Sequence, residues 1–483
     1  MNCKYPDSEL QSKVRAFIDA SREDILNDLS ALVRIPSVRG ESAPNAPFGE
    51  GPAAALEAAS ALLERCGFEV QRHPQYGYSV SPAVKGSEDI GLFCHCDTVG
   101  VNGVWLYAEP FEPVVKDGWL YGRGVKDDKG GVINALYAVL ALKNAGVQLR
   151  HGIRLVLGSN EETGMKDMEY FAENETMPRI SLVPDCEFPV CWGEKSYFDY
   201  RAEAPRAFEN ILDFNSGSGR GSVCSEIRVV LRAGDALRAE LKAASAEVAG
   251  SELTEDADGN CVLLAHGVSV HACTPQNGLQ AGGIATEVLL RCPSLGENDL
   301  TLLAAMDEVF HGVFGEPFGL EFFDKDFKEN TFAITAVYLK DGRPCLESYP
   351  HYAPHMTIDG IWSAVKAWYE AIGWSIELLD NDLGFTVGEE DREMLSVLND
   401  TFIELRGGKE KDIYITRSGT YARKLKNAYA TGIEVPKTAV FPSYFPQGHG
   451  LVHQPDECIP VEALMDGIEM TAMMLLALDG ALE

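Results

Sequence analysis

The sequence of 483 residues has little positive charge, no dense group of cysteines and no long apolar run. Lys and Arg total 41 against 73 Asp and Glu, which gives a formal net charge of −32. A surface of that charge repels nucleic-acid phosphates and anionic lipids, so we expect neither as a partner. No stretch reaches the ~18 apolar residues that a membrane-spanning helix requires.

The cysteines and the N-terminal segment bear on the cellular compartment. Twelve cysteines spread over 483 residues are too few for a disulfide-stabilised scaffold. The segment MNCKYPDSELQSKVRAF has no basic stretch followed by an apolar core, as a secretory signal would have. We therefore expect a soluble, cytoplasmic protein whose thiols stay reduced and are mostly buried as small hydrophobic side chains.

The order of the apolar patterns predicts an α/β fold. The first ~75 residues have apolar side chains mostly at helical spacing. Beyond them, the strand-like runs IGLFCHC, IRLVLGSN and ISLVPD alternate with helical patterns, of which KGGVINALYAVLALKNAG is the clearest and closes at Gly146. This alternation predicts a mixed sheet flanked by helices.

The pattern changes near residue 195. Residues 196–382 contain strand-like runs such as SEIRVVLRA and TFAITAVYL together with helices such as DALRAELKAASAEVA. Helix-rich α/β character returns from residue 383 onwards. We therefore expect a discontinuous α/β domain, formed by residues 1–195 and 383–483, into which an α+β domain is inserted at residues 196–382.

Four clusters of polar side chains fall at the ends of predicted strands or helices, and a fifth lies in the last segment of the chain. They are His95 with Asp97, the pair Asp127 and Asp128, the pair Glu161 and Glu162, the single Asp185, and His453 far along the chain. In open α/β sheets, functional groups collect beyond the strand ends. Imidazoles and carboxylates together are ligands that zinc, cobalt and manganese accept. Carboxylates gathered without a cation would raise each other's pKa, so we expect a bound divalent ion.

Strand alternation separates His95 from the neighbouring thiols. Successive side chains of a strand point to opposite faces. Cys94 and Cys96 therefore face one side, whereas His95 and Asp97 face the other. The imidazole and the carboxylate can share a site, and we expect the thiols to pack behind it.

Five segments together resemble a known enzyme family. GLFCHCDTVG, LYGRGVKDDKGG, GSNEETG, LVPD and HQPDE have the order and separations of the two-metal peptidases and amidohydrolases, which include bacterial Xaa-His dipeptidases, aminoacylases and desuccinylases. The resemblance implies metal-dependent hydrolysis of an amide bond in a small substrate, in the first place a dipeptide. The long inserted domain resembles the lid of the long-lid dipeptidase branch, which implies a monomer with a catalytic domain and a lid.

The resemblance also implies which side chains bind two divalent ions, expected to be zinc, with manganese or cobalt as alternatives. The ligands would be His95 and Asp185 for one ion, Glu162 and His453 for the other, and Asp127 as a bridge between them. The family often has a cis peptide bond between the residues at positions 127 and 128, which would aim the bridging carboxylate inward.

Three further residues would take part in the reaction. Asp97 would orient the His95 ring. Glu161 would be the general base for a hydroxide shared by the two ions, because adjacent glutamates in a loop can point apart and leave one free. His271, in the family-like segment HGVSVHACTPQNG, would donate a hydrogen bond from the lid to the oxyanion of the tetrahedral intermediate.

The positions that would hold the substrate depart from the family's pattern. Gly221 aligns with a lid asparagine, and Ser348 aligns with an arginine that binds the substrate's carboxylate. The segment RSGTYARKL keeps the pattern and supplies the predicted substrate-binding residues, which are Gly419, Thr420 and Arg423. Arg220 and Arg343 are alternative guanidinium donors for a carboxylate.

Three other functions stay open. An N-acyl amino acid deacylase would use the same hydrolytic centre on a related amide. A metal-binding protein without catalysis is disfavoured because a pure binding site has no use for Glu161 as an unligated base. A cysteine hydrolase is the third, although no nucleophile motif surrounds any of the thiols.

Overall fold

The computed structural model describes residues 8–82, 89–101, 103–216, 221–388, 392–406, 413–434, 445–446 and 448–482. The chain divides into two units. The first comprises Met1–Glu194 and Phe385–Glu483, and the second comprises Lys195–Gly384.

The α-helices include both long amphipathic segments and almost wholly buried ones. In chain order they are α1 (Ser8–Ala20), α2 (Arg22–Val33), α3 (Glu50–Arg65), α4 (Lys129–Asn144), α5 (Lys166–Asn174), α6 (Asp235–Glu247), α7 (Ala281–Leu290), α8 (Glu297–His311), α9 (Ile358–Ala371), α10 (Arg392–Leu405) and α11 (Val461–Ala481).

The strands are mostly short. In chain order they are β1 (Gln71–His73), β2 (Tyr78–Ser81), β3 (Asp89–His95), β4 (Val114–Lys116), β5 (Trp119–Tyr121), β6 (Gly152–Gly158), β7 (Ile180–Cys186), β8 (Cys191–Glu194), β9 (Ser196–Glu203), β10 (Ile211–Asn215), β11 (Glu226–Leu231), β12 (Ser251–Glu255), β13 (Cys261–His266), β14 (Phe323–Asp324), β15 (Lys328–Glu329), β16 (Ile334–Lys340), β17 (Arg343–Ser348), β18 (His351–Tyr352), β19 (Ser375–Asp382), β20 (Phe385–Thr386), β21 (Tyr414–Thr416), β22 (Ala428–Gly432) and β23 (Cys458–Pro460).

A nine-stranded mixed sheet forms the centre of the first unit. Its strand order is β1-β2-β6-β3-β7-β22-β8-β20, with β21 beside β8. β3 runs parallel to β6 and β7, and β7 runs parallel to β22, whereas β1, β2 and β20 pair antiparallel. The mixed sheet and its helices confirm the predicted α/β fold. The parallel core places the carboxyl ends of β3, β6 and β7 at one edge.

Strand β3 shows the predicted alternation of side chains between the two faces of the sheet. Leu92, Cys94 and Cys96 are buried in the larger core, which includes residues of α1, α2, α3, α4, α10 and α11. Phe93 lies in a separate core on the other face, where it packs edge-on against Phe171 of α5. The thiols therefore pack behind the sheet, away from the face that continues towards His95.

Helix α11 is buried along nearly all its length and packs against α1, α4 and α10. A helix that is apolar on all sides belongs in the interior of a domain. Its acidic Asp466 is buried and pairs with Arg15 of α1 at 2.5 Å. In the part of the chain that the structure describes, no helix combines the length and apolarity that crossing a membrane requires.

The second unit is an α+β fold with its own core. A four-stranded antiparallel sheet has the order β10-β11-β13-β12, and a five-stranded sheet has the order β16-β17-β9-β18 with β19 beside β9. The core of this unit gathers apolar side chains from both sheets and from α6 to α9. Each sheet buries one face against helices, which is the usual requirement for an antiparallel sheet.

Replacing Leu475 of α11 with alanine should destabilise the first unit by about 2–5 kcal/mol, because the side chain is fully buried and its loss leaves a cavity. Urea denaturation measures the free energy of unfolding. The control is Val114→Ala, since Val114 is 42% exposed and its truncation removes little packing. Equal losses in the two variants would contradict the buried position of α11.

Candidate metal centre

The carboxylate of Asp127 lies between two imidazoles from distant parts of the chain. Its Oδ1 lies 3.1 Å from His95 Nε2, and its Oδ2 lies 3.0 Å from His453 Nε2. Asp127 precedes α4, and its peptide bond to Asp128 is cis, as the resemblance implies. Each oxygen of this carboxylate therefore faces a different histidine.

The His95 imidazole is held at the end of β3 by contacts on both of its nitrogens. Its Nδ1 lies 3.1 Å from the backbone carbonyl oxygen of Asp97 and 3.5 Å from the Asp97 carboxylate. With acceptors on that side, a neutral ring that carries its proton on Nδ1 would present Nε2 to a cation. Nε2 lies 3.7 Å from Asp185 Oδ2, which β7 supplies from the neighbouring strand.

The His453 imidazole has a second carboxylate beside it. Its Nε2 lies 3.1 Å from Glu162 Oε2, and Glu162 Oε1 accepts a hydrogen bond from the backbone N–H of Val99. His453 has a backbone φ of 62°, in the left-handed region that non-glycine residues rarely adopt. The loop therefore holds the backbone at His453 in an uncommon conformation.

Glu161 and Glu162 begin a single 3-10 turn, Glu161–Thr163, directly after β6. Asp97 fixes this turn, because its Oδ1 accepts from the Glu161 N–H at 3.1 Å and its Oδ2 accepts from the Glu162 N–H at 3.2 Å. The two glutamates diverge, and Glu161 Oε2 lies 4.0 Å from His95 Nε2. The Asp97 carboxylate thus orients the turn, while its carbonyl contacts His95.

Two sets of side chains have ligand atoms within 4.8 Å of one another. They are His95, Glu161 and Asp185 in one set, and Asp127, Glu162 and His453 in the other. The structure brings together every residue that the sequence predicts as a metal ligand, and it places Glu161 beside them.

Burial and mutual repulsion shift the pKa values of these acids. Burial raises the pKa of Glu161 well above its usual value, and neighbouring carboxylates raise it further. Burial also raises the pKa of Asp185 to about 7, although His95 opposes this shift. Asp127 differs, because hydrogen bonds to both imidazoles outweigh burial and hold its pKa well below the usual range.

The residues present fit divalent cations. Among the described residues, the buried Glu161 Oε1 has no hydrogen-bond partner, and Asp185 shares its small volume with other carboxylates. A polar atom buried without a partner is costly unless a water or an ion satisfies it. Two imidazoles with carboxylates are also a usual ligand combination for zinc.

A buried ion pair ties the Asp127 segment to the His453 loop. The guanidinium of Arg123 donates to Glu457 Oε2 at 2.6 Å, and both side chains are buried. Glu457 Oε1 also accepts from three backbone N–H groups, those of Gly124, Lys126 and Asp127, at 3.0–3.2 Å. The motif HQPDE therefore supplies a histidine and, four residues later, the group that fixes the opposite loop.

The predicted substrate-binding segment is held by a second buried acid. Glu194 accepts from the Thr420 hydroxyl at 2.6 Å and from Arg423 Nε at 2.9 Å. Both charged side chains are fully buried. A Cβ added to Gly419 would lie 2.3 Å from Arg423 Cζ, so the guanidinium occupies the space beside that glycine. The substrate-binding role of these residues stays a prediction.

The remaining predicted residues lie in the second unit. His271 Nδ1 accepts from the backbone N–H of Cys273 at 3.0 Å, which leaves the proton of the neutral ring on Nε2. The buried hydroxyl of Ser348 donates to the carbonyl of Ala333, and Arg343 pairs with Glu203 at 2.5 Å. Gly221 has a φ of 97°. Arg220 lies outside the described residues.

The sequence alone assigned no role to four buried residues in or near the centre. Glu457, Tyr421 and Asp128 lie inside the motifs HQPDE, SGTYARKL and VKDDKGG, so their proximity to predicted residues was the available signal. Asp128 is buried and accepts from the His95 backbone N–H at 3.1 Å. Asp167 follows the GSNEETG motif, and no pattern in the sequence distinguishes it from a surface acid of α5.

Comparison with known proteins decides the family. The sequence profile of Peptidase family M20/M25/M40 matches residues 91–477. The chain belongs to this family. It is therefore a metal-dependent hydrolase of peptide bonds, which confirms the resemblance inferred from the five segments.

Relatives in sequence extend over nearly the whole chain. A protein of Bacillus subtilis (strain 168) named "Putative dipeptidase YtjP" is 26% identical over 471 residues, which cover 94% of this chain and 97% of that protein. "Putative dipeptidase SSP1012" of Staphylococcus saprophyticus is 29% identical over 460 residues, which cover 92% of this chain and 94% of that protein.

Solved structures with the same fold also match nearly the whole chain. Human carnosine dipeptidase 1 superposes with a TM-score of 0.61 at 14% identity, covering 98% of this chain and 100% of that one. The di-peptidase Dug1p from Saccharomyces cerevisiae gives a TM-score of 0.61 at 15% identity, covering 99% and 100%. At these identities the likeness shows a shared fold.

Replacing Glu457 with glutamine should lower the free energy of unfolding of the first unit by about 3–5 kcal/mol, because it leaves the buried Arg123 without its counter-charge. Urea denaturation of the metal-free protein provides the measurement. Glu255→Gln serves as the control, since Glu255 pairs with Arg238 on the surface and such pairs contribute about 0–1 kcal/mol. A loss as small as that of the control would show that Arg123 and Glu457 do not clamp the two loops.

Proposed function

We propose that this M20/M25/M40 peptidase hydrolyses dipeptides at a centre of two divalent ions. The observation that carries the proposal is the Asp127 carboxylate, each of whose oxygens lies about 3 Å from the Nε2 atom of a different histidine. Carboxylates that bridge two ions present one oxygen to each, and paired ions serve hydrolysis in this way. The names of the two bacterial relatives support a dipeptide as substrate.

The proposed ligands follow from the distances. His95 and Asp185 would hold one ion, His453 and Glu162 the second, and Asp127 both. We propose zinc, because imidazole with carboxylate suits it, and manganese and cobalt accept the same ligands. When bound, such a pair polarises a carbonyl oxygen and lowers the pKa of a shared water to about 7.

Glu161 is the proposed general base. Its carboxylate would accept a proton from the attacking water and then donate that proton to the nitrogen of the leaving amine. Burial raises the pKa of this carboxyl group before any ion binds. Its Oε1 atom, which has no hydrogen-bond partner among the described residues, is the oxygen that would face the water.

Two positioning roles complete the proposed centre. Asp97 would fix the His95 ring and the Glu161 turn relative to each other, since it contacts the ring through its carbonyl and the turn through its carboxylate. His271 would donate from Nε2 to the oxyanion, because the Cys273 N–H fixes the tautomer with a proton on that nitrogen. In this proposal the second unit is an inserted lid.

Gly419, Thr420 and Arg423 remain the proposed substrate-binding residues. The Glu194 ion pair occupies Arg423 Nε, so this guanidinium would act in part by fixing the segment that contacts the substrate. A monomer in the cytoplasm stays our prediction from the sequence.

Protein stripped of metal by a chelator should lose activity on dipeptides, and zinc, cobalt or manganese should restore it. Metal at a hundred times its Kd should also raise the free energy of unfolding by about 2.7 kcal/mol, since binding to the native state alone shifts the folding equilibrium. A panel of dipeptides and N-acetylated amino acids, assayed with and without a thiol-alkylating reagent, measures the activity.

Each outcome of that panel selects one function. Turnover of dipeptides by the metal-loaded, alkylated protein supports the proposal. Turnover of the acetylated compounds alone would identify a deacylase, and turnover of neither compound by fully loaded protein would indicate metal binding without catalysis. Loss of activity on alkylation would indicate a cysteine hydrolase.

Glu161→Gln should keep the metal content of the wild type and lower kcat by about 10²–10⁴-fold, because the amide cannot accept a proton. Metal analysis and steady-state kinetics measure both quantities. The adjacent Glu162→Gln is the matched control and should lose metal instead. Since Glu161 also lies within ligand distance of His95 and Asp185, loss of metal in Glu161→Gln would make it a ligand and overturn the assignment of the base.

A further inference from the structure

A buried carboxylate outside the metal centre holds the chain just before the Glu161 turn. Asp167, at the start of α5, is fully buried. Its Oδ2 atom accepts hydrogen bonds from the backbone N–H groups of Ser159 at 2.6 Å and Asn160 at 2.9 Å. These are the two residues that lead from β6 into Glu161, so Asp167 fixes their peptide planes.

The third donor to the same oxygen comes from a distant part of the sequence. The hydroxyl of Tyr421 donates to Asp167 Oδ2 at 2.5 Å. Burial raises the pKa of Asp167 to about 7, and the donors on this oxygen oppose that shift by stabilising the carboxylate. The Asp167 carboxylate therefore depends on Tyr421 for one of the three bonds that satisfy this atom.

Close packing around Gly158 indicates that the contact between Tyr421 and Asp167 is specific. A Cβ added to Gly158 would lie 2.1 Å from the Tyr421 hydroxyl oxygen and 2.5 Å from Asp167 Oδ2. Glycine at the end of β6 thus leaves the space in which the phenol and the carboxylate meet. The Tyr421 ring also packs edge-on with the ring of His95, and the two ring centroids lie 6.1 Å apart.

The segment that carries Tyr421 is itself fixed. Glu194 accepts from the Thr420 backbone N–H, from the Thr420 hydroxyl and from Arg423. Tyr421 lies between these two anchored residues. Hydrogen bonds, together with the covalent chain at residues 420–423, therefore connect Glu194 to Tyr421, Asp167 and the backbone that precedes Glu161.

We propose that Tyr421 and Asp167 are a positioning pair, which sets the direction of Glu161 and links it mechanically to the substrate-binding segment. This inference rests on the proposed function of Glu161. Tyr421 contacts the ring of His95 and, through Asp167, holds the turn that carries Glu161. A single side chain thereby fixes a metal-binding ring and the base relative to each other.

Tyr421→Phe removes the hydroxyl and keeps the ring against His95. With zinc bound, we expect wild-type metal content, a nearly unchanged KM for a dipeptide, and a kcat about 10–100-fold lower, because a base displaced by a fraction of an ångström transfers protons poorly. A merely structural role would not separate kcat from KM in this way. Steady-state kinetics and metal analysis measure these quantities.

Tyr137→Phe is the matched control. The Tyr137 hydroxyl donates to Asp28 at 2.8 Å in the same unit, so the control also removes a tyrosine-to-aspartate hydrogen bond, between α4 and α2. It should leave kcat unchanged. Equal kcat values for Tyr421→Phe and the control, or loss of metal from Tyr421→Phe, would overturn the positioning role.

Hydrogen exchange tests the pair without relying on activity. In metal-free protein, Tyr421→Phe and Asp167→Asn should speed exchange of the Ser159 and Asn160 amides, whereas Tyr137→Phe should not. Asp299→Asn controls for the loss of a buried carboxylate that accepts two backbone N–H groups elsewhere. Unchanged exchange at residues 159 and 160 would refute the proposal. A wild type that hydrolyses no dipeptide would instead refute the proposed function and leave the exchange result to decide the pairing.

Discussion

The structure of the first unit depends on holding several carboxyl groups and two imidazoles in one buried place. Asp127, Glu161, Glu162 and Asp185 repel one another when ionised, and burial adds to the cost of each charge. Of these four acids, Asp127 alone has a depressed pKa, because both histidines contact it. Such a cluster needs a counter-charge, and divalent ions supply it with the fewest atoms.

Other acids near the centre hold the loops that carry these mutually repelling side chains, so that the side chains stay close together. Asp97, Asp167 and Glu457 each accept backbone N–H groups of a loop that carries a proposed ligand or the proposed base. A carboxylate that accepts several amides fixes a loop more firmly than one side-chain contact does. The net charge of −32 thus includes buried acids with structural roles.

The sequence predicted the fold because local patterns carried it, whereas the proposed metal ligands came from the resemblance of five motif segments to a family, and the structure brings these residues together. The apolar runs of β3, β6 and β7 are short and bounded, so their parallel ends and the polar residues beyond them could be placed. Asp167, and the pairing of Arg123 with Glu457, could not be placed, because their partners lie up to 334 residues away. The alternation of side chains in β3 predicted on which face of the sheet His95 lies. The partner of a buried charge, by contrast, can be identified only in the three-dimensional structure.

Contacts that only the structure reveals also bear on substrate recognition. The guanidinium of Arg423 is buried against Glu194, Arg343 pairs with Glu203, and Ser348 donates to a backbone carbonyl. A residue that already satisfies a buried partner would have to keep that partner while it binds a substrate carboxylate, because leaving the partner unpaired would cost several kcal/mol. The residues proposed to cleave the amide bond and those proposed to bind the substrate are therefore two separate groups. A chain can keep every group that cleaves the amide bond while it changes the groups that select which amide is cleaved.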